Sequence, residues 1–166
     1  MTKQLARSCV FALVVLFACV LQAAPRERLG GSPEDVASVR DVLAGLSSAD
    51  NSGNLDAVVS HYRDDAILLP PNASVVAGRS AIRAWYEQGL FRHFRCEVSF
   101  DADETETSGD WAFARGYING RLNPKADEAP IKLHEKFIMI LRHDKDGWKI
   151  ARMIWNSDEP LPAAPR

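Results

Sequence analysis

Hydrophobic positions along this chain change period twice, and the changes divide it into parts. Ser8 to Leu21 is a nearly unbroken apolar run. From Val36 onward, Val36, Val39, Val42, Leu43 and Leu46 recur at helical spacing, which predicts an amphipathic helix. Ser32 before Pro33 supplies an N-cap and a proline at the first helical position. The polar cluster Asp50, Asn51, Ser52 and Gly53 predicts the end of that helix. Asn54 is placed to cap a second, shorter helix carrying Leu55, Val58, Val59 and Tyr62, which Arg63-Asp64-Asp65 breaks. Ala66 to Leu69 is a short apolar run closed by Pro70-Pro71, a brief strand at a sheet margin. Gly78 marks a turn, and Ser80 to Gln88 reads as a third helix with Ile82, Trp85 and Tyr86 along it.

Beyond this helix the period becomes two. Cys96, Val98, Phe100 and Ala102 alternate with Glu97, Ser99, Asp101 and Asp103, the pattern of a half-buried strand. Trp111 to Arg121, Ile131 to Arg142 and Trp148 to Asn156 give three more strands, the last two joined by a tight turn at Asp144-Lys145-Asp146-Gly147. Helices followed by a run of antiparallel strands define an α+β layout, with three N-terminal helices on one side of the sheet. If the sheet curves around those helices, it encloses a pocket, the usual place for a ligand. The chain shows no internal repeat.

Composition adds the partners to exclude. The chain is 46% hydrophobic and carries a net charge of −2 with no basic block, so it has a core to bury and no electropositive footprint for nucleic acid. Lys3 and Arg7 before the apolar run, and Gln22, Ala23 and Ala24 after it, give residues 1–24 the build of a secretory signal peptide. An uncleaved anchor and a lipoprotein signal acylated at Cys19 are the other readings of this segment. Its removal takes away two basic residues, moving the net charge from −2 to −4, and leaves Cys96 as the single cysteine, unable to form an internal disulfide. The expected location is secreted or periplasmic, with no membrane contact once the signal is gone. Residues 25–31 then form a flexible lead-in, residues 32–158 the domain, and residues 159–166 a proline-rich tail.

Several segments resemble one superfamily. Asn54-Leu55-Asp56-Ala57-Val58-Val59-Ser60-His61-Tyr62-Arg63-Asp64-Asp65-Ala66 is similar to the start of NTF2-like domains. Val76-Ala77-Gly78-Arg79-Ser80-Ala81-Ile82-Arg83 is similar to the opening of their third helix, and Asp146-Gly147-Trp148-Lys149-Ile150-Ala151-Arg152 to their closing hairpin. Leu68-Leu69-Pro70-Pro71 and Ile154-Trp155-Asn156-Ser157-Asp158 resemble the SnoaL-like DUF4440 branch. The resemblance implies a cone-shaped fold, with the helices packed on a strongly curved mixed or antiparallel sheet. It leaves function open, since such folds host enzymes, binders and oligomerisation modules. It also implies a homodimer through the convex sheet face, which would bury outward-facing Ile138, Ile140 and Ile154.

Ketosteroid isomerases share the layout and use a carboxylate base, with a tyrosine and a protonated carboxylic acid as oxyanion hole. Aligned on Asp64-Asp65-Ala66, the base position falls on Pro70 and the tyrosine position near Leu46. The acid position, anchored through Phe137, falls on Glu135; with base and tyrosine positions both lacking the needed group, a classical steroid isomerase is not expected. The concave face implied by the resemblance takes Arg115, Tyr117 and Asn119 from one strand, Glu135, Phe137 and Met139 from the next, and Met153 and Trp155 from the last. Tyr62, Trp85 and Tyr86 join them from the helices. A one-residue slip would send the strand residues to solvent instead. The inward reading gives an aromatic cup for a small apolar carbonyl-containing or polyketide-like molecule. Glu135 is then the candidate acid or base, and Arg115, Tyr117 and Asn119 the candidate oxyanion donors. An ion pair between Glu135 and Arg115 is the structural alternative. A non-catalytic dimeric module with a vestigial pocket is the competing functional class.

No cofactor or metal is expected. His61, His93, His134 and His143 lack metal spacing, and neither a phosphate loop, a dinucleotide fingerprint nor a nucleophile elbow is present. The acidic residues from Asp101 to Glu106 read as a solvated strand face, and Cys96 as a buried thiol.

Overall fold

The structure, a computed structural model, describes residues 31–158. The expected signal segment, most of the lead-in and the proline-rich tail lie outside the described residues. Helix α1 (Pro33–Ser52) begins where Ser32 accepts a hydrogen bond from the Asp35 amide and ends at Gly53, in the left-handed region at φ 64°. Asn54 caps α2 (Leu55–Ser60) by accepting from the Ala57 amide. This helix stops earlier than its hydrophobic spacing predicts. Tyr62 is the first residue of strand β1 (Tyr62–Leu69), not a helical residue. A short strand β2 (Val76–Ala77) leads through Gly78 into α3 (Arg79–Trp85), which widens into a π-helical turn (Tyr86–Leu90) and closes with α4 (Phe91–His93). Four long strands follow: β3 (Phe94–Ser108), β4 (Trp111–Pro124), β5 (Ile131–Asp144) and β6 (Gly147–Ser157).

The strands form one mixed sheet in the order β2-β1-β6-β5-β4-β3. β1 runs parallel to β6, and every other neighbouring pair is antiparallel. The brief marginal strand expected at Ala66 to Leu69 is thus longer, and it sits between β2 and β6. Helix α1 lies across the concave face, with Val39, Leu43 and Leu46 buried against Met139, Leu141 and Ile150.

Two features bend the sheet around α1. β4 has glycine at two positions where β3 crosses close by. A Cβ on Gly116 would lie 1.9 Å from the Asp101 carbonyl oxygen, and one on Gly120 would lie 2.0 Å from that of Glu97. No other residue fits this approach. Farther along, β3 carries a bulge between Ala102 and Glu104, which brings Thr105 and Thr107 to the buried side.

β3 is an edge strand, and α1 covers part of its open edge with side chains. Asn51 donates from Nδ2 to the Val98 carbonyl at 2.9 Å and accepts from the Val98 amide at 2.7 Å. Ser47 accepts from the Phe100 amide at 3.0 Å while donating to the Leu43 carbonyl. The last turns of α1 are in this way fixed to the sheet, satisfying backbone groups that an edge strand otherwise leaves open.

Candidate functional site

Between the end of α1, the π-helical turn and the concave face of β3 to β6 lies a cavity of about 270 Å³. Its walls are mainly apolar: Trp85, Tyr86, Phe100, Leu122, Met153 and Trp155 supply most of the large side chains. The rings interlock. Trp85 meets Trp155 edge-on at 5.8 Å between centroids and Tyr86 at 5.1 Å, the arrangement favoured by ring quadrupoles. Consecutive Trp85 and Tyr86 and, four residues on, Leu90 all reach the cavity across the widened turn. Behind Tyr86 sits Tyr62, fully buried, their hydroxyls 3.2 Å apart.

Two carboxyl groups enter this apolar space. Asp50 follows Val39, Leu43 and Leu46 on the buried stripe of α1 and is only 4% exposed. Its Oδ1 has no hydrogen-bond partner among the described residues. Burial pushes its carboxyl up to about 8, because water is the best stabiliser of the ionised form. Its place in the last turn of α1, at the negative end of the helix dipole, acts in the same direction. At neutral pH most of the Asp50 population is therefore the uncharged acid, a hydrogen-bond donor. Glu135 on β5 is half-buried, lines both the cavity and the groove just outside it, and is raised above the usual carboxylate range by burial.

The neighbouring titratable groups hold their protons. The hydroxyls of Tyr62 and Tyr86 are raised first by burial and then by the Asp50 charge. The same two causes push the Cys96 thiol up to about 12, which makes it a poor nucleophile.

Not all the residues expected at the cup meet there. Trp85, Tyr86, Glu135, Met153 and Trp155 line the cavity. Tyr62, Phe137 and Met139 are fully packed behind it as core. Arg115, Tyr117 and Asn119 are on the opposite, convex face, and here the expected facing is corrected. β4 and β5 pair Gly116 with Phe137, Ala114 with Met139 and Ile118 with Glu135. Directly opposed residues share a face, so the inward residues of β4 are the small Ala112, Ala114 and Gly116, together with Ile118.

The three displaced residues build a surface network instead. Asn119 donates to Asp101 at 2.7 Å and accepts from His134 Nδ1 at 2.7 Å, which makes Nδ1 the protonated nitrogen of that ring. Tyr117 stacks flat on His134 at 4.5 Å, and Arg115 pairs with Glu104. The alternative pairing of Arg115 with Glu135 is excluded by the same register.

The residue that the hydrophobic pattern did not single out is Asp50. Read as part of a helix-ending polar cluster, it continues the 39, 43, 46 stripe at position 50. That spacing is a signal: a carboxylate on the apolar face of a helix is costly unless it has a use or a partner. Among the described residues no group of three or more His, Cys, Asp or Glu side chains is arranged to hold a metal ion.

The fold and the cavity together define a small α+β pocket protein of the cone-shaped NTF2-like class. The chain belongs to the SnoaL-like domain family, whose model matches residues 39–153. No curated protein matches the sequence. Among solved structures, it is similar to a ketosteroid isomerase-like protein from Erwinia carotovora atroseptica SCRI1043, at 24% identity and TM-score 0.70 over 78% of this chain and 100% of that one. It is also similar to a candidate dehydratase of the NTF2-like family from Streptomyces avermitilis, at 15% identity and TM-score 0.67 over 78% of this chain and 100% of that one. An NTF2-like protein of unknown function from Pseudomonas putida KT2440 matches at 18% identity and TM-score 0.62, over 80% and 92%. The family and fold expected from the sequence are both borne out.

Proposed function

We propose that this SnoaL-like protein binds a small, mostly apolar carbonyl or polyketide-like compound and moves a proton on it, as an isomerase-like enzyme. The observation that carries the reading is the pair of desolvated carboxyl groups, Asp50 and Glu135, in one apolar cavity, with no ion pair to either among the described residues. Acid and base roles follow when environments separate two such groups. Asp50 is the buried acid that donates to the carbonyl oxygen. Glu135, nearer the opening, is the base that removes a proton from the adjacent carbon. The C–H electrons become a new C=C bond while the C=O π pair takes the Asp50 proton, giving an enol. On a β,γ-unsaturated carbonyl, return of the Glu135 proton to the γ-carbon and of the O–H proton to Asp50 completes the isomerisation. A cavity of about 270 Å³ is just below the common range of ligand sites, about 300–1,000 Å³, and suits a one- or two-ring molecule better than a steroid.

The test is deuterium exchange next to the carbonyl of cyclohexanone and 2-tetralone in D₂O, followed by NMR. Exchange faster than that in buffer with an equal concentration of acetate is the expected result. Ketones that bind, seen as a raised melting temperature, but exchange no faster than in buffer would rule out the catalytic role.

We also propose pairing of two copies through the convex face. Ile138, Ile140 and Ile154 remain 42%, 36% and 40% exposed there, beside Trp111 at 48%. Four large apolar side chains on one sheet face are the composition of a covered surface. Replacing Ile138 and Ile154 by lysine should give a monomer by light scattering, with the ketone site retained. A wild-type chain that is itself monomeric at micromolar concentration would contradict the pairing. Export belongs to the same reading and is supported by the sequence of residues 1–24 alone; N-terminal sequencing of protein from the periplasmic fraction checks it.

A further inference from the structure

The charge of the cavity points beyond carbonyl compounds. Its lining holds two acidic residues and neither lysine, arginine nor histidine. The groove just outside, running over Pro70, Pro71, Asn72 and Ala73 to Trp155 and Ser157, adds no base. An anion entering this space would meet desolvation without compensation. A cation would meet aromatic rings and the Asp50 carboxyl, which lines the cavity and whose Oδ1 has no hydrogen-bond partner among the described residues. Trp85, Tyr86, Phe100 and Trp155 provide the ring faces on which cations are stabilised.

We propose that this cavity also takes a small ring-bearing amine in its protonated form, the ammonium against Asp50 and the ring among the tryptophans. The inference uses the cavity but not the carbonyl chemistry, so it goes beyond the function proposed above. An ammonium carries three donors and no acceptor, which suits a carboxylate with unused acceptor capacity better than a neutral ligand does. Burial holds Asp50 mainly as the acid, so taking up a cation requires the loss of that proton to solvent. Binding is therefore proton-linked. The groups facing Asp50 are Tyr62 from β1, Tyr86 from the π-helical turn and Cys96 from β3, with Glu135 on β5 in the same cavity. The first three keep their protons across the neutral range. Glu135, where ionised, adds to the attraction, and Asp50 is left as the group whose titration sets the upper pH limit of the linkage.

Calorimetric titration with benzylamine and its neutral isostere benzyl alcohol tests this on the wild-type protein and the Asp50→Asn variant, in two buffers of different ionisation enthalpy. The affinity for benzylamine should rise by up to about tenfold per pH unit between pH 6 and 8, with a proton released to the buffer. In Asp50→Asn the amine should lose at least about tenfold at pH 8, or about 1.4 kcal/mol, while the alcohol binds unchanged. Amine affinity that is flat with pH, no better than that of the alcohol at pH 8, or retained in Asp50→Asn would overturn the proposal. Failure of benzylamine while cyclohexanone binds removes the amine reading alone. Failure of all three probes removes the small-molecule role as well.

Discussion

Replacing Asp50 by asparagine should make the protein more stable at pH 7, by up to about 4 kcal/mol, and should leave it nearly unchanged at pH 4. The sign follows from proton counting. In the unfolded chain Asp50 ionises near the ordinary value of 3.8, and in the fold it ionises near 8. Between those values the native state holds a proton that the unfolded state has released. Stability then falls as pH rises, by about 1.36 kcal/mol per unit. Below the unfolded pKa both states are protonated and nothing is lost. Asparagine has the size and hydrogen-bonding appetite of the neutral acid but cannot ionise in the unfolded chain, so the loss disappears. Other groups with shifted pKa values, such as Asp65, held low by Arg63, and His61, held low by burial, are common to both proteins and cancel in the difference. Urea unfolding of the two proteins at pH 4 and pH 7 gives the answer. A variant less stable than wild type at pH 7 would mean that Asp50 is ionised and satisfied in the fold, and the acid assigned to it would be wrong.

A stabilising mutation in the wall of a cavity is itself informative. Most core substitutions destabilise, and natural residues that lower stability concentrate at working sites. Asn51, next in the chain, shows the opposite character, since both ends of its amide are used on Val98. Of two adjacent polar residues at the end of one helix, one ties the helix to the sheet and the other lines the cavity with an oxygen that has no partner among the described residues.

The sequence made the elements legible because each carries its own period and punctuation. Ser32-Pro33 and Gly53 bound α1, and the alternation from Cys96 to Ala102 marks β3. Which face of β4 turns inward was not legible, for a physical reason. A strand's own alternation offers two faces, and β4 offers an ambiguous pair. One holds Phe113, Arg115, Tyr117 and Asn119; the other holds Ala112, Ala114, Gly116 and Ile118. The choice depends on the register with β5, where residue 116 opposes 137. No tight turn fixes that register, because residues 125–130 intervene without belonging to a strand. The β5–β6 hairpin has such a turn at Gly147, and there the inward placing of Met153 and Trp155 from the sequence agrees with the cavity. The bulge between Ile140 and Leu141 added what alternation cannot show, burying consecutive Ile150 and Ala151.

Glu135→Gln should abolish carbonyl-directed turnover while leaving ligand binding and folding in place. General base catalysis commonly contributes about 10²–10⁴-fold, so exchange next to the ketone should drop by that order with the dissociation constant little changed. Glutamine matches glutamate in shape, and Glu135 has no salt bridge among the described residues, so the melting temperature should move little. The pH dependence adds a signature that a merely structural residue would not give. Activity should climb as Glu135 ionises, on a limb displaced above the usual carboxylate range because burial raises that group. It should fall again as Asp50 loses its proton near 8, and such a bell belongs to the pair of groups rather than to either alone. Asp50→Asn should remove the alkaline limb and keep the acid one, because an amide donor does not titrate. Glu135→Gln with turnover intact, or a wild-type profile flat from pH 5 to 9, would take Glu135 out of the chemistry and leave the cavity as a binding site only.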